Sequence, residues 1–219
     1  MKLDFKNKKF QKRIFMSLIG VVMSGISVGI FKTAVFGVDP FTVVVSGIDA
    51  VIPIDYGMIY ILINVVLLLF SLIFDRKNIG IATFINLFLI GYITQFSTEF
   101  FHGLFPNPDM VLRILCFIVG IVILCFGSSL YMTAELGVST YDAIAITCSG
   151  KFHLGQFRFI RIVTDVVCVV SGSILYYLGT QEISRLFEVV GIGTILTAFC
   201  MGPLIDLFNR KIARPFLDL

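Results

Sequence analysis

Six stretches of this chain, at about 14 to 36, 57 to 74, 80 to 101, 111 to 136, 156 to 178 and 187 to 208, are apolar for most of their length. About 20 such residues are enough for a helix to cross a hydrocarbon core of roughly 30 Å. In hydrocarbon every backbone N–H and C=O must be paired within the protein, which restricts spanning structure to helices and closed barrels. The stretches are continuous and do not alternate, so they read as helices. Composition agrees: 58% of residues are hydrophobic and 14% charged, against roughly 45–50% and about 25% in soluble domains. Six spans use up nearly all of the 219 residues, which excludes a soluble catalytic domain.

The chain also repeats itself. At an offset of 100, Gly20 matches Gly120, Thr33-Ala34 matches Thr133-Ala134 and Gly37-Val38 matches Gly137-Val138. Further on the offset becomes 111, with Gly80-Ile81-Ala82-Thr83 over Gly191-Ile192-Gly193-Thr194 and Gly91 over Gly202. Each copy carries a short segment, 40–51 and 140–151. A helix of about 12 residues reaches only about 18 Å, too short to span.

If the short segments do not cross, the basic tail (Lys2 to Arg13), Arg76-Lys77, Lys151 with Arg158 and Arg161, and Arg210-Lys211-Arg214 share one face. The positive-inside rule then puts both termini in the cytoplasm. Three spans per copy is an odd number, so the second copy is inverted relative to the first. The expected fold is therefore all-α, six transmembrane helices in two inverted three-helix repeats, each with a short re-entrant or interfacial helix. The expected division is a basic tail at 1–13, a first repeat at 14–101, an extracytoplasmic linker at 102–110, a second repeat at 111–210 and a tail at 211–219. The first apolar run is too long for a cleavable signal and lacks a clear small-residue cleavage site.

Both short segments open with helix-start chemistry. Asp39-Pro40 reads as an N-cap with proline at the first helical position, and Ser139-Thr140-Tyr141-Asp142 reads as a capping box in which Asp142 returns to the Ser139 amide. Gly37 and Gly137 precede the caps and allow a tight reversal.

Polar groups deep in apolar helices cost free energy, about 2.5 kcal/mol or more per charge on insertion scales, so each needs a partner or a task. Asp165 lies roughly 14 Å into the fifth long helix if that helix enters near Gln156. Arg161 and Arg158 precede it by one and two turns on the same face. Two readings stand side by side: a cationic wall with a substrate-binding or proton-coupling carboxylate, or a structural ion pair of Arg161 with Asp165 or Asp142. Ser139, Thr140, Tyr141 and Asp142 at one short-helix start, and Asp39 and Thr42 at the other, are candidates to face a cavity. Asn64 and Asn86 are mid-helix candidates for substrate contact or helix-to-helix hydrogen bonds. The glycines read as packing faces, and the tyrosines, Tyr56, Tyr60 and Tyr131 among them, as partly interfacial.

The five cysteines form no CxxC pair and the two histidines sit at opposite expected membrane edges, so neither a disulfide framework nor a metal site is indicated. Protease, hydrolase and P-loop motifs are missing, and an enzyme is not expected.

Gly137-Val138-Ser139 with Asp142, then Gly155, Arg161 and Asp165, then Gly191-Ile192-Gly193-Thr194 and Gly202-Pro203-Leu204-Ile205 resemble the YczE/YyaS/YitT family of bacterial integral membrane proteins, over roughly residues 14 to 210. The resemblance implies a multi-pass protein of the bacterial inner membrane. Ala82 and Tyr92 stand in the first copy where the second has Gly193 and Pro203, so the halves are not equivalent.

The functional expectation is a transporter or channel for a small polar or anionic solute, bound between the repeats, with the lipid bilayer as its surroundings. The alternative is a ligand-binding membrane subunit or regulatory partner of another transport system. A homo-oligomer or partner subunit is compatible with either; no cofactor and no nucleic-acid partner are expected.

Overall fold

The computed structural model describes residues 8–218, apart from the side chains of Arg158 and Asp218. Lys2 and Lys6 of the basic tail therefore lie outside the described residues. Every regular element among the described residues is helical: α1 (Lys8–Ala34), α2 (Pro40–Val51), α3 (Tyr56–Phe74), α4 (Ile81–Leu104), α5 (Met110–Thr133), α6 (Thr140–Gly150), α7 (Phe157–Thr180), α8 (Ile183–Val189), α9 (Ile192–Phe208) and α10 (Arg214–Asp218), with a 3₁₀ turn Arg76–Asn78 after α3 and a π-helical stretch Asn209–Ala213 before α10.

Six segments are long and apolar enough to cross a membrane: α1, α3, α4, α5, α7 from Phe159, and the stretch Ile183–Leu217. Their outer faces carry exposed Leu62, Val66, Ile73, Phe88, Phe96, Val111, Ile162, Val166 and Phe199. An apolar exterior of this extent belongs in lipid, and the chain is a multi-pass membrane protein.

Two expected elements differ. The first helix starts at Lys8 rather than 14, carrying the end of the basic tail as helix. The sixth run, expected unbroken over 187–208, is interrupted at Val190 and Gly191, both extended. The break frees backbone groups that are used across the fold.

That use is reciprocal. The chain leaves α1 through Val35 and Gly37 with φ of 55° and 98°, and leaves α5 through Glu135 and Gly137 with φ of 52° and 116°. These left-handed conformations suit glycine and reverse the chain tightly. At the first reversal the Val38 amide donates to the Val189 carbonyl at 3.0 Å and the Gly193 amide to Phe36 at 2.7 Å. At the second, the Val138 amide donates to Asn78 and the Ala82 amide to Leu136, both at 3.0 Å. Every partner in the second set is displaced from the first by the sequence offsets of 100 or 111. The Gly80 and Gly191 amides donate to Thr83 and Thr194 hydroxyls at 3.2 and 3.3 Å, closing the two helix starts alike.

Helix α1 is the spine, packed on α4 and α5; α2 lies along α7, α3 against α4 and α6, and α5 against α9. Glycine sets the closest approaches. A Cβ on Gly47 of α2 would fall 2.4 Å from the Gly172 carbonyl oxygen of α7, one on Gly179 2.3 Å from that of Ala50, and one on Gly29 of α1 2.7 Å from the Ser97 carbonyl carbon of α4. Gly150 on α6 and Gly202 on α9 have nothing within 4 Å. The α2–α7 and α1–α4 seams are thus tight where those glycines of α6 and α9 stand free.

The short helices start inside the bundle and end at its edges. Thr140 at the start of α6 donates to Asn64 in the middle of α3, while Lys151 past its end donates to the Phe74 carbonyl where α3 finishes. Likewise α2 passes Gly172 and ends beside Gly179, in the last turns of α7.

Candidate functional site

The two short helices meet at their N-termini, and a cavity of about 410 Å³ opens around the meeting point. Asp39 caps α2 by accepting from the Thr42 amide at 3.1 Å and its hydroxyl at 2.6 Å. On α6, the Asp142 amide donates to Ser139 Oγ at 3.0 Å, and Ser139 donates to the Asp142 carboxylate at 2.6 Å. The expected return of Asp142 to the Ser139 amide is not made: the carboxylate is held by the Ser139 hydroxyl and by Arg161, whose full charge is the stronger partner.

Arg161 on α7 is the hub. Its guanidinium is paired to Asp142 of α6 and lies 3.4 Å from Asp165 one turn along its own helix. The same group sits 4.3 Å from the centroid of the Tyr141 ring, and the Tyr141 hydroxyl donates to Asp165 at 2.6 Å. Both ion-pair alternatives are realised at once. Arg161 and Asp142 keep a third of their side-chain surface exposed and Asp165 about 18%, so the network borders open space.

On α3, Asn64 donates to its own Tyr60 carbonyl at 2.8 Å and accepts from Thr140, bracing α3 against α6. The Tyr60 hydroxyl points to Asn86 of α4 at 3.5 Å. The Phe41 ring links the sides, 5.6 Å from Tyr60 and 5.0 Å from Tyr141 between centroids.

Nine of the eleven sequence candidates line this one cavity: Asp39, Thr42, Asn64, Asn86, Ser139, Tyr141, Asp142, Arg161 and Asp165. Thr140 does not; it is fully buried, its hydroxyl spent on Asn64. Arg158 belongs to the first turn of α7, and its side chain lies outside the described residues.

Sequence reasoning missed the aromatic wall. Tyr60 and Tyr131 were expected near membrane interfaces but are buried and line the cavity, as do Phe41 and Tyr56. Tyr131 follows Gly127 by one turn, and Gly127 is the small residue that lets α5 close on α1; that spacing was the available signal. Lys32, 3.9 Å from the Tyr56 ring centroid, lies on the far side of Tyr56 in a separate outer pocket with Asp49, Gln95 and Glu99. Arg113 donates to the Ala34 and Val35 carbonyls at 2.9 and 2.8 Å, satisfying the end of α1.

The lining is graded. Tyr56, Val28 and Thr94 at one end are buried, whereas Met132, Phe157 and Gly202 at the other are exposed. Among the described residues no cluster of His, Cys, Asp or Glu could hold a metal ion.

An uncharacterised protein of Haemophilus influenzae is 27% identical over 205 residues, 93% of this chain and 86% of that protein. The uncharacterised protein YyaS of Bacillus subtilis is 22% identical over 200 residues, 91% of this chain and 94% of its own length, in keeping with the resemblance read from the glycine and aspartate motifs. No solved structure matches. A family model fits residues 11–210, nearly the whole chain, and this protein belongs to the family of unknown function DUF6198.

Proposed function

We propose that this protein carries a small polar solute across the bacterial cytoplasmic membrane, binding it between two three-helix units of opposed orientation. The observation that carries the reading is the Asp142–Arg161–Asp165 network beside a 410 Å³ cavity at the junction of the two short helices. Charges inside a membrane bundle are expensive and usually mark a solute or ion path, and opposed repeats with broken helices are a recurring transporter plan.

Inversion is supported by the reciprocal backbone hydrogen bonds at the two chain reversals, each set joining a segment of one copy to a segment of the other. The short helices, starting inside the bundle and ending at its edges, fit re-entrant elements whose ends are satisfied by protein and cavity. Both termini are cytoplasmic in this reading. Contacts of Arg13 with Glu135, Thr133 with Asn209 and Lys151 with Phe74 gather the basic ends on one edge, which the positive-inside rule assigns to the cytoplasm.

Tight glycine seams at α2–α7 and α1–α4, with Gly150 and Gly202 free late in α6 and α9 although Gly193 at the start of α9 is already close to Phe117 of α5, fit one of two alternating states. In the other state the late parts of α6 and α9, around Gly150 and Gly202, close on α3 and α5 and the first pair loosens. The protein transports without catalysis and is independent of an energising subunit.

Proteoliposomes containing the purified protein, incubated in a bacterial metabolite extract and read by mass spectrometry, test this. At least one solute is expected to accumulate over protein-free vesicles and to fall at least tenfold with Asp165→Asn. Identical contents in the two vesicle populations would overturn the proposal; binding without flux would indicate a capture subunit instead.

A further inference from the structure

We propose that the solute is an organic cation, held by the aromatic wall and the surplus carboxylate of the cavity. This rests on the cavity being a solute site and names the chemistry that it selects.

The charge count decides against an anion. Among the described residues lining the cavity there are three carboxylates, Asp39, Asp142 and Asp165, and one guanidinium, Arg161. Arg161 does not reach for an anion, because Asp142 and Asp165 already flank it. Each short-helix N-terminus adds about half a positive charge, and even with both ends counted about one negative charge is left among the described residues of the lining. An entering anion would have to displace Asp142 from Arg161, whereas a cation meets the surplus directly.

The wall favours a cation with apolar substituents over a bare ion. Phe41, Tyr56, Tyr60, Tyr131 and Tyr141 bring aromatic surface to the same space as Asp39 and Asp165. Aromatic rings beside carboxylates are the chemistry that takes alkylammonium groups, the π-faces and the anions both attracting the charge. One ring already does this within the protein, since the Arg161 guanidinium lies over Tyr141. A cavity of about 410 Å³ exceeds what a monatomic ion fills and falls within the range of small-molecule sites.

The test uses three compounds of one shape and different charge: choline, neutral 3,3-dimethylbutan-1-ol and anionic 3,3-dimethylbutanoate, with tetraethylammonium as a larger cation. Thermal unfolding of the detergent-solubilised protein is followed by circular dichroism as each is titrated. At least one cation should stabilise saturably, at a half-saturating concentration at least tenfold below those of the alcohol and the carboxylate. Asp39→Asn, which keeps a capping side chain, should weaken that cation at least fivefold. Phe41→Leu should weaken it about threefold and weaken the alcohol less, because the ring's attraction for charge is lost on top of its apolar contact. Saturation by the carboxylate or alcohol with silence from both cations overturns the charge assignment and leaves the cavity as a solute site. Silence from all four also overturns the charge assignment, and the metabolite flux experiment then judges the cavity separately.

Discussion

Phe41 and Tyr141, 100 residues apart in the chain, pack ring against ring in a tilted arrangement, with centroids 5.0 Å apart and an interplanar angle of 32°. They occupy the same place in the first turns of the two short helices, so this contact, like that of Thr140 with Asn64, joins the halves of the sequence at the cavity. Tyr141 has a second task, the 2.6 Å hydrogen bond to Asp165.

Tyr141→Phe keeps the ring contact and deletes the hydroxyl. A hydrogen bond to a charged group contributes about 1.5–3 kcal/mol, less where water can replace the donor. A loss of about 1–2 kcal/mol is expected in detergent unfolding, with Phe41→Leu costing about 1 kcal/mol through lost ring contact. Equal stability of Tyr141→Phe and wild type would mean that the bond to Asp165 is not formed.

Arg161 and Asp142 should behave as a coupled pair. Removing one partner of a buried ion pair costs about 3–5 kcal/mol; with a third of each side chain exposed, Arg161→Gln should cost about 1–3 kcal/mol. The double variant Arg161→Gln/Asp142→Asn should recover at least half of that loss. Additive costs in the unfolding cycle would contradict the pairing.

The α2–α7 seam should tolerate no side chain. A Cβ at Gly172 would lie 2.6 Å from the Val43 backbone, so Gly172→Ala must push the helices apart and should lower stability by about 1–3 kcal/mol. Gly103 has nothing within 4 Å, and Gly103→Ala should be neutral or stabilising by up to about 1 kcal/mol. The two melting shifts, measured together, separate close packing from helix propensity.

Thr83 and Thr194 hold equivalent helix starts with unequal grip. The Thr83 hydroxyl donates to Val138 at 2.7 Å, the Thr194 hydroxyl to Val189 at 3.4 Å. Replacement by the near-isosteric valine should therefore cost more at Thr83, about 1–2 kcal/mol, than at Thr194. The reverse order in melting temperature would contradict the asymmetry.

The spans were legible because lipid admits few structures: apolar runs, the Asp39-Pro40 cap and Gly37 and Gly137 each carry a local signal. The polar candidates were legible because their cost in an apolar helix makes them conspicuous, as with Asp165. Partner choice was not, since Arg161 could face Asp142, Asp165 or both, and only the depth of α6 against α7 selects both. The break at Val190 was hidden because Val189-Val190 and the run from Ile192 onward are apolar and Gly191 and Gly193 read equally well as packing residues. Tyr60 and Tyr131 were misjudged because tyrosine suits a membrane interface and a polar cavity equally well.

Met132 and Phe157, at the exposed end of the cavity lining, lie where α5 ends and α7 begins, on the edge assigned to the cytoplasm, so a solute path between the halves should admit water from that side to Ser128, which lines the cavity; thiol accessibility measures this. Ser128→Cys and the buried control Ser129→Cys are placed in a background with the five native cysteines replaced, then exposed to a membrane-impermeant methanethiosulfonate in inside-out and right-side-out vesicles. The Ser128→Cys thiol should react at least tenfold faster than that of Ser129→Cys, and faster from the cytoplasmic face. Equal, slow reaction at both positions from both faces would contradict it.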